Sequence, residues 1–125
     1  MIVYSCTDLI FATKIRATAE ALGIPSRPTR NSDALRNRLE QVDDGKLNEP
    51  VAGVLIDLDL KEEALVLIGQ VKDHQASIPV VAFGSHVQTE FLESARQRGA
   101  DFVMARSVFT ATLPDILKRL DGQDA

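Results

Sequence analysis

Short apolar runs alternate along the chain with longer segments whose apolar residues recur at the spacing of an amphipathic helix. Runs of this length predict buried β-strands, and the periodic segments between them predict helices. Five strands are predicted, over residues 2–6, 24–29, 51–57, 78–83 and 101–105. Because strands and helices alternate, we expect a parallel sheet with helices on both faces.

Capping residues mark the start of several predicted helices. Thr7 or Asp8 is expected to cap the first helix with a side-chain oxygen. The pattern Ser85-x-x-Gln88 predicts a capping box that opens the fourth helix, with Val87 on the inner face of that helix.

The extents of the second and last helices are predicted from their apolar residues and from Pro114. Three apolar residues form the inner face of the second helix: Leu35, Leu39 and Val42. A polar loop through Pro50 is expected to follow it. The last helix is predicted over residues 113–120, because Pro114 is tolerated near a first helical turn.

Pro25 and Pro28 determine where the second strand lies in the sheet. Proline has no amide hydrogen to donate, which confines such a strand to a sheet edge. An edge position agrees with the doubly wound strand order 2-1-3-4-5. We therefore predict one α/β domain over residues 1–121 and a flexible C-terminal tail over residues 122–125.

The composition argues against several classes of function. Of the 125 residues, 45% are hydrophobic and 5% are aromatic, which fits one domain with an aliphatic core. The net charge of −4 and the scattered basic residues argue against a nucleic-acid partner. One cysteine, no leader pattern and no long apolar run predict a cytoplasmic protein without membrane contact.

Asp57 is the strongest candidate for chemistry. It ends the apolar run over residues 54–56, and Asp59 follows two residues later. Functional groups of open α/β sheets lie just outside the carboxyl ends of the strands. A carboxylate in that place is suited to accept a phosphoryl group, to bind a cation or to act as a polar switch.

Three segments resemble the receiver domain of bacterial two-component response regulators, and the resemblance spans essentially the whole chain. They are Val54-Leu55-Ile56-Asp57, Ile78-Pro79-Val80-Val81-Ala82-Phe83 and Arg98-Gly99-Ala100-Asp101. The resemblance implies the CheY-like (βα)5 fold and places Asp57 at the phosphoacceptor position. In that family, Mg²⁺ held partly by an acidic pair after the first strand supports phosphoryl transfer.

Several positions that support phosphorylation in that family hold different residue types here. Cys6 and Thr7 stand at the positions of the acidic pair. The family also has a hydroxyl-bearing residue at the end of the fourth strand, where this chain has Gly84. After the fifth strand it has a lysine and then a proline, where this chain has Arg106 and Ser107. Mg²⁺ binding would require Asp8 to substitute for the missing pair. The departures together predict a degenerate receiver, or pseudo-receiver.

The roles of the polar residues at this edge remain open. Asp57 is interpreted as a phosphoacceptor, as an ion-pair partner of Arg106, or as a capping residue at the strand end. Asp59 is expected to cap the following helix. Arg106, Ser85 and Asp8 are expected near Asp57 on the rim of the sheet, the edge formed by the carboxyl ends of its strands. They are candidates for anion binding or for a switch.

Three further features have two interpretations each. His86 is either a group that titrates near neutral pH or a solvated loop residue. Cys6 is either a reactive thiol or a small buried residue. The apolar residues Phe102, Val103 and Phe109 either form an exposed patch with the last helix or pack in the core.

The main functional hypothesis is a stand-alone, non-enzymatic signalling module that acts through protein interaction. Its partner is expected to be a histidine kinase, a downstream effector or a second copy of the chain, and no cofactor is expected. One alternative is a genuine response regulator that is phosphorylated on Asp57. Another is a sensor of a small anion or ligand at the strand-end rim.

Overall fold

A five-stranded parallel sheet forms the centre of the computed structural model, which describes residues 1–40, 42–43, 46–47 and 50–122. The strands of this part of the chain are β1 (Ile2–Ser5), β2 (Ser26–Pro28), β3 (Val42–Asp43), β4 (Lys46–Leu47), β5 (Gly53–Asp57), β6 (Val80–Gly84) and β7 (Phe102–Ala105). The sheet has the order β2-β1-β5-β6-β7, and β3 and β4 form a separate antiparallel pair. The predicted α/β fold and strand order are confirmed, with the proline-bearing β2 at an edge.

Helices cover both faces of the sheet: α1 (Leu9–Ala21), α2 (Ser32–Leu39), α3 (Glu62–His74), α4 (Thr89–Gln97) and α5 (Arg106–Leu120). Because side chains alternate along a strand, Ile2 and Tyr4 pack with α1 and α5, whereas Val3 packs with α2 and α3. An aliphatic core results on each face. No helix in the described part of the chain combines the length and apolarity needed to cross a membrane.

Three phenylalanines join α1, β6 and α5 beneath the carboxyl edge of the sheet. The rings of Phe83 and Phe109 stack with centroids 4.1 Å apart, and the Phe11 centroid lies 5.4 Å from that of Phe83. Phe109 is completely buried, so of its two interpretations the one that places it in the core is confirmed. This cluster fixes the first turns of α1 and α5 relative to each other.

The strand register places the carboxyl ends of the central strands at one edge. Ser5 lies opposite Ile56 in the neighbouring strand, and Gly84 lies opposite Ala105. Residues that end or follow β1, β5, β6 and β7 therefore meet along this edge, as parallel sheets require.

The second and last helices differ from their predicted extents. Helix α2 ends at Leu39, so the assignment of Val42 to it is wrong, and Val42 belongs to β3. The predicted loop through Pro50 contains β3 and β4, while residues 41, 44–45 and 48–49 of this region lie outside the described residues. Helix α5 begins at Arg106, seven residues before the predicted start.

Helix α5 begins before Pro114 because its apolar residues keep a helical spacing on both sides of that proline. Phe109, Leu113 and Leu117 recur at intervals of four and are all buried. Burial of this stripe compensates the hydrogen bond that Pro114 removes inside the helix. Most of the predicted tail, residues 123–125, lies outside the described residues.

The predicted capping box before α4 is wrong. Helix α4 begins at Thr89, and its N-cap residue Gln88 makes no side-chain capping bond. The Ser85 hydroxyl instead accepts a hydrogen bond from the Val87 amide at 3.4 Å. This turn leaves Val87 exposed instead of on the inner face.

At the opposite, amino-terminal edge of the sheet, Lys72 of α3 forms hydrogen bonds with the residues that precede β6 and β7. Its Nζ donates to the carbonyl oxygens of Ala76 and Ile78 at 3.0 and 2.7 Å, and to Asp101 Oδ2 at 2.5 Å. Asp101 Oδ2 also accepts from the Val80 amide at 2.8 Å. The Lys72 side chain is only 14% exposed, so these bonds are made largely away from water.

We expect Lys72→Met to lower the free energy of unfolding by about 2 kcal/mol, because three bonds to a charged donor are lost. Urea denaturation followed by circular dichroism measures the change. Arg36→Met is the matched control: Arg36 pairs with Asp33 at 2.8 Å, but both side chains are exposed. Its effect should stay below about 0.5 kcal/mol, and equal losses in the two variants would contradict the assignment.

Candidate functional site

Asp57 has hydrogen-bond donors on both carboxylate oxygens. It is the last residue of β5 and is 1% exposed. Oδ1 accepts from the Asp59 amide and from Arg106 Nη2, both at 2.9 Å. Oδ2 accepts from the Thr7 amide at 3.3 Å, the Thr7 hydroxyl at 3.1 Å and the Cys6 thiol at 3.4 Å. Five donors thus surround one buried carboxylate.

Arg106 supplies the positive charge of this cluster. It is the first residue of α5, and its Nη2 donates to both Asp57 Oδ1 and Asp59 Oδ2, the latter at 2.8 Å. Burial disfavours the charged guanidinium, but the two carboxylates outweigh burial and raise the Arg106 pKa. The ion pair between Asp57 and Arg106, one of the three interpretations, is therefore present with a fully charged guanidinium.

Asp59 has a different place from the one expected. A 3₁₀ turn over Leu58–Leu60 follows β5, and Asp57 caps it. Helix α3 begins at Glu62 after Lys61, which has a positive φ of 61° and makes no side-chain capping bond. The prediction that Asp59 caps this helix is wrong, because its carboxylate is held by Arg106 instead.

The residues after β1 separate into two groups. Cys6 and Thr7 point at Asp57 as donors. Asp8 is exposed, and its Oδ1 accepts from the amides of Ile10 and Phe11 at 2.8 and 3.3 Å. Of the two predicted caps of α1, Asp8 is the one that the structure uses.

The Cys6 thiol is held in its protonated form. Burial, together with the nearby negative charge of Asp57, raises the Cys6 pKa to about 11. The thiol donates toward the Asp8 carbonyl at 3.6 Å as well as to Asp57. Because the thiolate is the reactive form, this environment favours the interpretation of Cys6 as an inert packed residue.

Leu58 fills the space beside Gly84. A Cβ atom added to Gly84 would lie 3.0 Å from Leu58 Cβ, closer than most real contacts. Leu58 is completely buried in the core on that face. A hydroxyl-bearing side chain at position 84 would thus require Leu58 to shift, which explains why glycine suits this position here.

Neither Ser85 nor His86 is among the described donors to Asp57. The Ser85 hydroxyl bonds the Val87 amide, and His86 is exposed in the same turn. Of the predicted rim residues, the structure thus brings Asp57, Asp59 and Arg106 into direct contact. The sequence prediction missed the donor roles of Cys6 and Thr7 and the packing of Leu58 beside Gly84.

The patch expected beside the last helix is only partly exposed. Phe102 is 54% exposed, whereas Val103 packs against the core. Phe102 borders a groove of about 440 Å³ between β7 and α5, with Met104 and Ile116 among its apolar walls. Self-association through this face stays a prediction.

The donor set at this edge does not suit a divalent cation. Mg²⁺ takes oxygen ligands such as carboxylates, but Cys6 and Thr7 present donors to the carboxylate they face. The carboxylates of Asp57 and Asp59 share one guanidinium. Within the described part of the chain, no group of three or more His, Cys, Asp or Glu side chains could hold a metal ion.

Similarity to known proteins is found at the level of structure. No protein-family profile and no curated protein sequence matches the chain. A response regulator from Thermotoga maritima aligns over 97% of both chains, with a TM-score of 0.74 and 16% identity. The receiver domain of NtrX from Brucella abortus aligns over 96% of this chain and 97% of that one, with a TM-score of 0.76 and 19% identity.

A third neighbour carries a modified aspartate. It is a response regulator from Burkholderia pseudomallei with a phosphorylated aspartic acid, calcium ion and citrate. It aligns over 99% of this chain and 72% of its own, with a TM-score of 0.72 and 19% identity. The chain therefore has the fold of response-regulator receiver domains, as the sequence resemblance predicted.

A double-mutant cycle should measure the coupling between Asp57 and Arg106. We expect Arg106→Met to lower the free energy of unfolding by about 1–2 kcal/mol, because it leaves a buried carboxylate without its counter-charge. In an Asp57→Asn background the same change should cost at least about 1 kcal/mol less. Arg96→Met, which breaks the exposed pair with Glu93, is the control and should have little effect. Additive losses would show that the pair is not coupled.

The raised pKa of Cys6 predicts slow alkylation. At pH 8, iodoacetamide should modify the folded chain about a hundredfold more slowly than the urea-unfolded chain, because few thiols are ionised. The rate in the folded chain should still rise about tenfold per pH unit up to pH 10. A rate that levels off near pH 8.5 would contradict the shift.

Proposed function

We propose that this chain is a non-catalytic signalling module of receiver fold that acts through protein interaction, without Mg²⁺-dependent phosphorylation of Asp57. The observation that carries the proposal is the ring of five donors, including Arg106, around the Asp57 carboxylate.

The geometry opposes phosphoryl transfer to Asp57. Attack on phosphorus needs a carboxylate oxygen with a free lone pair and a cation that neutralises the phosphoryl oxygens. Here both oxygens accept hydrogen bonds, and Oδ1 faces a guanidinium at 2.9 Å. Arg106 offsets one of the two negative charges of Asp57 and Asp59, so a single negative charge is left to attract Mg²⁺, and the guanidinium occupies the side from which the cation would bind both carboxylates.

The same contacts favour a single arrangement of the rim. Arg106 ties the start of α5 to the end of β5 and to the turn after it. Leu58 occupies the space beside Gly84 where a switching hydroxyl would have to move. A rim held in this way suits constitutive recognition by a partner better than recognition that depends on a modification.

Exposed apolar side chains on the rim support a protein partner. Leu9 and Ile10 at the start of α1 are 81% and 83% exposed. Val87, before α4, and Val108, in the first turn of α5, are also exposed. Apolar side chains grouped at one edge of a domain mark protein interaction surfaces. A histidine kinase or a downstream effector is the expected class of partner.

The two alternatives make different demands on the same residues. A phospho-accepting regulator would require Asp8 to leave the amides of α1 and Arg106 to leave Asp57. A rim anion sensor would require Arg106 to be available, whereas it holds two carboxylates. The Asp57–Arg106 pair therefore counts against both.

Incubation with acetyl phosphate and Mg²⁺, followed by intact-mass analysis at acidic pH, tests the proposal. We expect no adduct of about 80 Da, the mass of one phosphoryl group. An adduct that forms on the wild-type chain and is lost in Asp57→Asn would overturn the proposal and support the phospho-accepting alternative.

A rebuilt site provides the matched comparison. The variant Cys6→Asp, Thr7→Asp, Arg106→Lys restores carboxylates and a lysine at the positions that the resemblance identifies. If the missing groups prevent phosphorylation, this variant should gain the adduct under the same conditions. Its circular dichroism spectrum must match that of the wild type.

A further inference from the structure

A cleft of about 280 Å³ lies on the rim beside the Asp57 cluster. It is bounded by α1 on one side and by the end of β2 and the residues after it on the other. Part of its wall is apolar and comes from Tyr4, Leu9 and Pro28. This volume is near the lower limit of small-molecule sites in proteins.

Two arginines line this cleft from opposite sides. Arg16 lies on α1, and Arg30 follows β2. Both are exposed, and neither forms an ion pair with a carboxylate of the described residues. They differ in this from Arg36, Arg96 and Arg106, which all pair with carboxylates.

Hydroxyl groups complete the polar part of the wall. Thr7, Thr13 and Thr29 line the cleft, and the Thr29 hydroxyl is held at 2.7 Å from that of Ser5. The Thr7 and Thr13 hydroxyls already donate to Asp57 Oδ2 and to the Leu9 carbonyl oxygen. The donors left for the oxygens of a phosphate or carboxylate group are therefore the two guanidinium groups. The cleft therefore combines a cationic donor set with an apolar wall.

We propose that this cleft binds a small organic oxyanion, in which a phosphate or carboxylate group lies between Arg16 and Arg30 and an apolar body lies against Leu9 and Pro28. The groups proposed to contact the ligand, on Arg16, Arg30, Leu9 and Pro28, are not among the described donors to Asp57. The cleft is also separate from the rim site considered above, which would use Arg106 and Ser85.

Thr7 connects this cleft with the Asp57 cluster. It lines the cleft and donates two hydrogen bonds to Asp57 Oδ2, through its amide and its hydroxyl. A ligand in contact with Thr7 thus touches the residue that holds one oxygen of Asp57. Binding of a ligand in the cleft can therefore change the hydrogen bonds between Thr7 and Asp57.

Titration of the ¹⁵N-labelled chain with phenylphosphonate, which has an aromatic body and one oxyanion group, tests the proposal. We expect saturable shifts of the amide signals of Thr7, Thr29 and Arg30. Arg16→Gln and Arg30→Gln should each weaken binding at least about fivefold, because each removes a charged donor. Amide signals outside the cleft show that both variants fold.

Two matched controls make the result specific. Arg27→Gln removes an exposed arginine of the same edge strand, whose guanidinium donates to the Ser26 carbonyl, and should change binding less than twofold. Benzyl alcohol has the same ring without the charge and should cause no saturable shift. The proposal is overturned if phenylphosphonate gives no saturable shift, if Arg16→Gln and Arg30→Gln bind like wild type, or if Arg27→Gln weakens binding equally.

Discussion

A buried carboxylate that must be satisfied is the constraint on which the rest of this rim depends. Asp57 is 1% exposed, and an ionised carboxylate at that depth is costly unless donors and a counter-charge surround it. Arg106 supplies the counter-charge, Thr7 and Cys6 supply donors, and the turn after β5 supplies an amide. The starts of α1 and α5 and the 3₁₀ turn are thereby held around one group.

The sheet could be predicted because its signals are local and independent. The apolar runs are short, the helical segments between them are periodic, and the prolines of β2 can be tolerated only at an edge. Two of the errors occurred where two local signals competed. At α5, Pro114 suggested a start that the buried stripe of Phe109, Leu113 and Leu117 overrides. Before α4, a sequence typical of a capping box forms a turn instead.

The candidate site was predicted less completely, because its contacts join residues that are distant in sequence. Strand-end topology was sufficient to place Arg106 beside Asp57. It was not sufficient to show that Arg106 also donates to Asp59, because the 3₁₀ turn after β5 determines where the Asp59 carboxylate lies. Thr7 was recognised as a missing carboxylate, although its hydroxyl is a donor in its own right. The filling of the space beside Gly84 by Leu58 depends on packing that no local pattern encodes.

The long sequence separations around Asp57 have a consequence for folding. Thr7 lies 50 residues before Asp57, and Arg106 lies 49 residues after it. Loop-closure entropy makes contacts of such separation slow to form compared with local ones. During synthesis, Asp57 emerges well before Arg106 and stays without its counter-charge until α5 has been made. We expect the carboxylate to be more accessible to solvent before α5 packs onto the sheet than in the folded domain, where Asp57 is 1% exposed.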